Sequence, residues 1–371
     1  MNKLVKITLK GYKSIRELEL ELRPLSILIG ANGTGKSNFI SVFRFLKHLV
    51  DENLQLHIGR SGGADQILYY GRKNTERLVI GLRFEVGDDL FNGYQCSLVT
   101  TASDSFVFES ETVSFHNRSK FFRPFFEELG AGHPESRLSS KAQKESDVAY
   151  HLLQAMQSLE LFHFHDTSDS ARVKQNGNID DNISLRQDAA NLAAYLFYLR
   201  ERQEAHYRNI VDFIRLAAPF FDDFALRPNP LNENKIKLEW RERGSDAYFD
   251  ANSLSDGTLR LMSLATLLLQ PLEKMPGIIL LDEPELGLHP YAITLLAELI
   301  QSTSEKTQII VATQSVTLVN QFEPEDIIVV DRHGGQSVFK RLSADAIAPW
   351  LEDYGLGDLW EKNVLGGRPA A

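Results

Sequence analysis

Gly30-Ala-Asn-Gly-Thr-Gly35-Lys36-Ser37 gathers three glycines, a lysine and hydroxyls into one short run. It fits the P-loop pattern at every specified position. Small glycines let successive backbone N–H groups turn inward around phosphate oxygens. A helix starting there adds the positive end of its dipole. Lys36 supplies a mobile cation to the β and γ phosphates, and the Ser37 hydroxyl is a ligand for Mg²⁺. Gly30, Asn32, Gly33, Thr34, Gly35 and Asn38 complete the set expected around the phosphates. The alternative, a glycine turn that binds nothing, does not account for the strand before the run and the helical pattern after it. A second group, Asp282-Glu283, ends the apolar run Ile278-Ile-Leu-Leu. Such a run drives a strand into a sheet and delivers both carboxylates at its C-terminal edge, where open α/β sheets bind ligands. Asp282 is expected to orient Mg²⁺ through water, and Glu283 to polarise the attacking water as general base. Solvated acids at an ordinary strand end are the alternative, weakened by the upstream P-loop.

The third group is Ser253-Leu-Ser255-Asp256-Gly257-Thr258, followed at once by apolar residues from Leu259. Leu254-Ser255-Asp256-Gly257-Thr258 resembles the signature motif of the ABC ATPase superfamily, in the form used by the SMC and RecF-like branch. The resemblance implies that Ser255, Asp256 and Gly257 act on the γ-phosphate held by an opposite subunit. A plain helix cap by Ser255 or Asp256 is the bland alternative, and the two are compatible. Thr313-Gln314-Ser315 lies where that superfamily has its switch. Many relatives carry histidine there; Gln314 hydrogen-bonds but carries no charge and shuttles no proton. Pro284-Glu285-Leu-Gly287-Leu-His289-Pro290 resembles the D-loop, which crosses the dimer interface. His289 reads as a loop residue rather than a metal ligand.

Elements must position these groups. Alternating apolar residues over Val5–Leu9 and Ile15–Leu22 read as two antiparallel strands, and Leu25–Ile29 as a buried strand running into the P-loop. Phe39–Leu49 follows helical spacing. Residues 51–75 read as loop, Leu78–Val86, Tyr94–Thr100 and Phe106–Phe115 as strands, and Ser136–Val148 as a solvent-exposed or mobile stretch. Ala189–Ala217 is the longest helical pattern. Leu259–Leu269 reads as a helix, Ile278–Leu281 and Gln308–Ala312 as buried strands, and Ile327–Val330 with Val338–Leu342 as a hairpin. Trp350–Val364 reads as a helical end. No internal repeat and no sustained heptads are present.

Composition narrows the class. Of 371 residues, 43% are hydrophobic, and 40 Lys and Arg stand against 50 Asp and Glu, a net charge of −10. This excludes a uniformly cationic, histone-like coat but not a local basic groove. The single cysteine, Cys96, excludes an intrachain disulfide and makes a cysteine-based zinc site untenable. No apolar run approaches the ~18 residues of a membrane span, and Met1–Lys10 does not resemble a signal peptide. A cytoplasmic location is expected.

Along its whole length the chain resembles the predicted ATPases of the AAA_21 group, which are of the ABC type despite that label. Stretches that carry the resemblance include Phe162-His-Phe-His165-Asp166-Thr-Ser-Asp169, Pro219-Phe-Phe-Asp222-Asp223, Leu238-Glu-Trp240-Arg-Glu-Arg243-Gly244 and Trp360-Glu-Lys-Asn363. His163, His165 and Asp166 suggest either a metal or a hydrogen-bonded core or interface. SMC-type coiled-coil arms are absent, and the roughly 55 residues after Gln314 are too few for the Toprim nuclease domain of OLD-type relatives. The resemblance implies an α/β fold, an ABC-type P-loop NTPase with a mixed central sheet and an antiparallel N-terminal β-subdomain. Residues 1–117 would carry the P-loop, 118–220 an inserted mostly helical lobe, and 221–371 the signature, acidic strand and switch. It further implies ATP and Mg²⁺ as ligands and a homodimer or higher oligomer. It also implies a dimeric switch controlling a separately encoded effector, such as a nuclease in phage defence. A RecF-like repair or chromosome-maintenance ATPase bound to nucleic acid is the rival, and a transporter subunit a weaker one. No membrane contact is expected.

Overall fold

The computed structural model describes residues 2–351 and 353–367. Two six-stranded sheets organise the chain. The mixed sheet runs, edge to edge, through Gln336–Arg341, Ile327–His333, Leu25–Ile29, Gln308–Thr313, Ile278–Asp282 and Leu159–Phe162. Its strands are parallel except for the Ile327–His333/Gln336–Arg341 hairpin. The short apolar runs are buried on both faces. Ile27, Ile279, Leu281, Ile309 and Val311 enter one core, whereas Leu28, Ile278, Leu280, Ile310 and Ala312 enter the other. This double burial is why those strands read as continuous apolar runs rather than alternating ones.

The helix Lys36–Val50 fills the space on one side, packing Phe39, Phe43, Phe45, Leu46 and Leu49 against the second sheet. That sheet is antiparallel, in the order Ile15–Glu21, Lys3–Tyr12, Arg77–Gly87, Leu90–Thr100, Phe106–Asn117 and Phe125–Gly130. On the other side of the mixed sheet lies the helix Asp256–Leu269, all but continuously buried. Residues 118–220 serve both layers. Phe125–Gly130 joins the antiparallel sheet, Leu159–Phe162 forms an edge of the mixed sheet, and the helices Leu192–Arg202 and Glu204–Ala217 pack in the core under Asp256–Leu269.

Three local readings change. The long helical pattern from Ala189 breaks at Gln203, φ −139°. Arg200–Glu204 is a run of polar residues with no apolar side chain to hold a continuous helix on the core. Residues 54–60, read as loop, form the helix Leu54–Arg60. The Glu135 carboxylate accepts from the Leu54 and Gln55 N–H groups, both at 2.9 Å, a cap supplied from far along the chain. Ser136 and Leu138, read as exposed or mobile, are buried; the Glu111 carboxylate accepts from the Ser136 hydroxyl and the Arg137 N–H.

Candidate functional site

The strand Leu25–Ile29 delivers the P-loop at its C-terminal end and the helix from Lys36 leaves it. Gly33 and Gly35 have φ values of 81° and 119°, left-handed conformations in which a side chain is strained. A Cβ on Gly33 would meet nothing within 4 Å, so this side of the loop is open. A Cβ on Gly35 would collide with the Ser337 hydroxyl. That hydroxyl belongs to a hydrogen-bonded chain: Asn38 Nδ2 donates to Ser14 Oγ (2.7 Å), Ser14 Oγ lies 2.7 Å from Ser337 Oγ, and Ser337 Oγ donates to the Thr34 carbonyl (2.6 Å). The Gly367 carbonyl accepts from the Ala31 N–H at 2.7 Å. Asn32, Gly33 and Ser37 are exposed, and Thr34, Gly35 and Lys36 buried.

Lys36 is 5% exposed, and its Nζ donates to the carbonyls of Gly30 and Ala31. Burial lowers its pKa, while the charges of Glu283, Asp282 and Glu285 oppose the shift. A desolvated ammonium among three carboxylates, beside an open loop of glycines, fits polyphosphate with a divalent cation. Exposed Ser37 and the half-buried Asp282 are the side chains expected to reach that cation.

Sheet register brings the remaining groups to the same edge. Asp282 pairs with Ala312, and Thr313 with Ile29, in adjacent parallel strands. Burial raises the Asp282 pKa, opposed by His165, Lys36 and Arg44. Glu283 has a φ of 44°, a strained value for a non-glycine residue, and its N–H donates to the Ala312 carbonyl at 2.7 Å. The turned backbone brings its carboxylate to Gln314, whose Nε2 donates to Glu283 Oε1 at 2.7 Å. P-loop, acidic strand end and switch thus meet, as their motifs imply. Beside them, Lys13, Ser14, Asn38, Tyr70 and Arg332 line a cavity of about 470 Å³, large enough for a nucleoside; Gln66 lines it too.

The signature sits apart. Ser255 and Asp256 are exposed, and among the described residues neither they nor Gly257 hydrogen-bonds to residues 30–38. Ser255 Oγ accepts from the Thr258 N–H at 3.1 Å and caps the helix, so the cap reading holds within the chain. Gly257 abuts the loop after Glu283: a Cβ there would run into the Gly287 carbonyl oxygen. The His163, His165 and Asp166 side chains are each held in hydrogen bonds. His163 accepts from Arg44 Nη2 (2.8 Å), and burial pushes its pKa down to about 4. His165 Nε2 donates to the Asp282 carbonyl (2.7 Å), and Asp166 accepts from Ser168. No group of metal-binding side chains occurs among the described residues. His289 accepts from the Tyr291 N–H and caps the helix Pro290–Ser304.

Three further residues belong to the site, of which Arg260 and Ser337 carry no local signal and Glu285 lies in the D-loop-like run. Arg260 Nε, Nη1 and Nη2 donate to the carbonyls of Phe164 (3.1 Å), Leu286 (2.7 Å) and His165 (3.0 Å), tying the signature helix to the loop after Glu283. Ser337 lies in a strand some three hundred residues from the loop it holds. Glu285 is 7% exposed, accepts from Thr313 Oγ1 at 2.5 Å, and leaves Oε2 buried without a partner; burial raises its pKa.

A glycine-rich loop of P-loop pattern, an acidic strand end and Gln314 meet at one edge of this two-sheet frame, the arrangement of a P-loop nucleotide-binding fold. Residues 25–320 match the family AAA_21, described as "AAA domain, putative AbiEii toxin, Type IV TA system", and the chain belongs to that family. Its fold is similar to SMC head domains. The head bound to the C-terminal winged-helix domain of ScpA aligns at TM-score 0.60 and 17% identity, over 93% of this chain and 99% of that one. The head from Pyrococcus furiosus, with an extended coiled coil and bound to the C-terminal domain of ScpA, aligns at 0.58 and 17%, over 95% and 99%. That from Pyrococcus yayanosii aligns at 0.53 and 14%, over 95% and 99%. No curated protein matches the chain. No helix among the described residues is long and apolar enough to cross a membrane.

Proposed function

We propose that this chain binds Mg²⁺-ATP and hydrolyses it in a head-to-tail homodimer, and that the closure and release of the dimer act as a switch. The contact of Gln314 with Glu283 at the mouth of the P-loop carries this reading. On this reading the contact holds the carboxylate of the general base in place at the strand end, with an uncharged side chain as its partner. Lys36 exchanges its two carbonyl partners for phosphate oxygens, and the inward N–H groups of Gly33 to Ser37 orient the chain of phosphates. Ser37 and Asp282 would hold Mg²⁺, which would supply neutralisation of phosphate charge. The 470 Å³ cavity takes the nucleoside. Ser255 and Asp256, exposed, and Gly257, buried beside them, lie away from their own P-loop and act on the nucleotide of a second copy.

The role of the switch follows from the family and the fold together. SMC heads in the solved structures above are bound by ScpA, a separate chain. By the same logic an effector encoded apart from this chain, in the cytoplasm, reads its ATP state; the family description names a "putative AbiEii toxin, Type IV TA system", and a toxic effector such as a nuclease is the class we infer.

Glu283→Gln tests the core of the reading. It keeps size and hydrogen bonding but removes the base, so hydrolysis should fall by roughly 10²-fold or more. ATP should stay bound, and the dimer should persist on a sizing column. Turnover at the wild-type rate in this variant would remove Glu283 from the mechanism and the reading with it.

A further inference from the structure

The solvent face of the antiparallel sheet carries a built surface outside the ATP site. Pairing register sets Lys6, Arg83, Gly93, Ser114 and Phe126 in one row across five strands. Gly93 and Ser114 form its floor, which stays low because a Cβ on Gly93 would collide with the Ser114 hydroxyl. The trough encloses about 510 Å³. Arg83 and Arg118 both lie over the Phe91 ring, at 5.4 and 4.5 Å. Arg83 Nε is buried without a hydrogen-bond partner. At one end of the trough the chain turns into the edge strand Phe125–Gly130. There Phe122 is 96% exposed, and Phe121, Phe125 and Phe126 are each 60% exposed.

Charge distinguishes this surface from an ordinary apolar patch. Thr112–Phe126 contains Arg118, Lys120 and Arg123 and no acid, in a chain whose net charge is −10. Among the described residues none of Arg83, Arg118, Lys120 or Arg123 pairs with a carboxylate. Lys6 is neutralised by Glu19, and Glu128 is the one acid lining the trough. Free guanidinium and ammonium groups beside exposed aromatic faces match a polyanion that also offers flat rings.

We propose that this trough and its phenylalanine turn bind single-stranded nucleic acid, with phosphates on Arg83, Arg118 and Arg123 and bases stacked on Phe122 and Phe126. Base–aromatic stacking is tolerant of sequence, so the surface would hold a strand without reading it. A duplex keeps its bases stacked inside and offers these rings nothing, so the surface prefers single strands.

The test is fluorescence anisotropy of the whole chain, without ATP, on dye-labelled oligo-dT and oligo-rU of about 20 nucleotides. Binding should appear at about 50 mM salt and weaken steeply toward about 200 mM. Phe122→Ala with Phe126→Ala should weaken it by roughly tenfold or more. Arg118→Gln with Arg123→Gln should flatten the log–log salt slope by about 1.4, two cations at about 0.7 each. Thermal melts establish that both variants fold. Lys36→Ala should bind the oligonucleotide as the unaltered chain does, which separates this inference from the ATP reading. Three outcomes overturn it: no binding at low salt, binding that neither variant changes, or equal preference for duplex. A shift of oligomeric state caused by the phenylalanine variant alone, without any oligonucleotide effect, would assign the surface to a second copy and overturn it too.

Discussion

Glu285 shows how a single side chain is spent at this site. One carboxylate oxygen takes the Thr313 hydroxyl, and the other lies buried with nothing to accept from. An unpaired buried acceptor costs about 1–3 kcal/mol, more when charged. Its pKa is raised by burial, so the folded chain holds a proton there more readily than the unfolded one. The sign follows: stability is lost as pH rises through the folded pKa and recovered as pH falls below it. Glu285→Gln keeps the contact to Thr313 and removes the charge. It should raise the melting temperature at about pH 8 by a few degrees, and the gain should shrink as pH falls and the buried carboxyl of the unaltered chain takes up its proton. Melting curves across that range check it; a gain that grows on acidification would show that the carboxylate is stabilising. A group kept at a cost beside Glu283 and Gln314 has a role there, and the neutral variant should hydrolyse ATP more slowly despite its stability.

At the level of elements, the parts legible in the sequence are those whose cause is local. The P-loop, the acidic strand end and the switch lie where the motifs imply because each is a strand end in one parallel sheet, and apolar runs bounded by turn residues announce such strands. The helix Leu54–Arg60 was illegible because its cap, Glu135, comes from a distant loop. The break at Gln203 falls in the polar run Arg200–Glu204, whereas the contacts of Arg260 and Ser337 depend on which surfaces meet, which periodicity does not encode. The signature helix lies between these cases. Its start is legible as a cap, yet Ser255 both caps its own helix and faces outward. Mixed dimers separate the two roles. One chain carries Lys36→Ala and the other Ser255→Arg, each inactive alone. In the mixture, one composite site combines both lesions and the other an intact P-loop with an intact signature. Activity should return, up to about half if the sites fire independently. If Ser255 were only a cap, Ser255→Ala would cost about 1 kcal/mol of stability and leave hydrolysis by folded protein unchanged. Verified mixed dimers without activity would leave the signature without a trans role.

At the scale of the whole molecule, the proposed division of the site between two copies would leave a single chain an incomplete catalyst. Activity should therefore depend on the square of protein concentration where monomer dominates, with doubling giving more than a doubled rate. A rate strictly proportional to concentration down to the lowest measurable protein would argue for a monomeric enzyme or a permanent dimer. The zero clearance between Gly257 and the Gly287 carbonyl adds a further consequence. On the proposed reading Gly287 follows the chain's own general base, whereas Gly257 serves the nucleotide of the partner. The start of the signature helix packs directly on the loop after Glu283, so on the proposed reading the closure of one site would bear on the other. The dependence of rate on ATP should then be sigmoidal, with a Hill coefficient above one and at most two for a pair of sites. Gly257→Ala, which must push the two loops apart, should return the curve to a hyperbola even where some turnover survives.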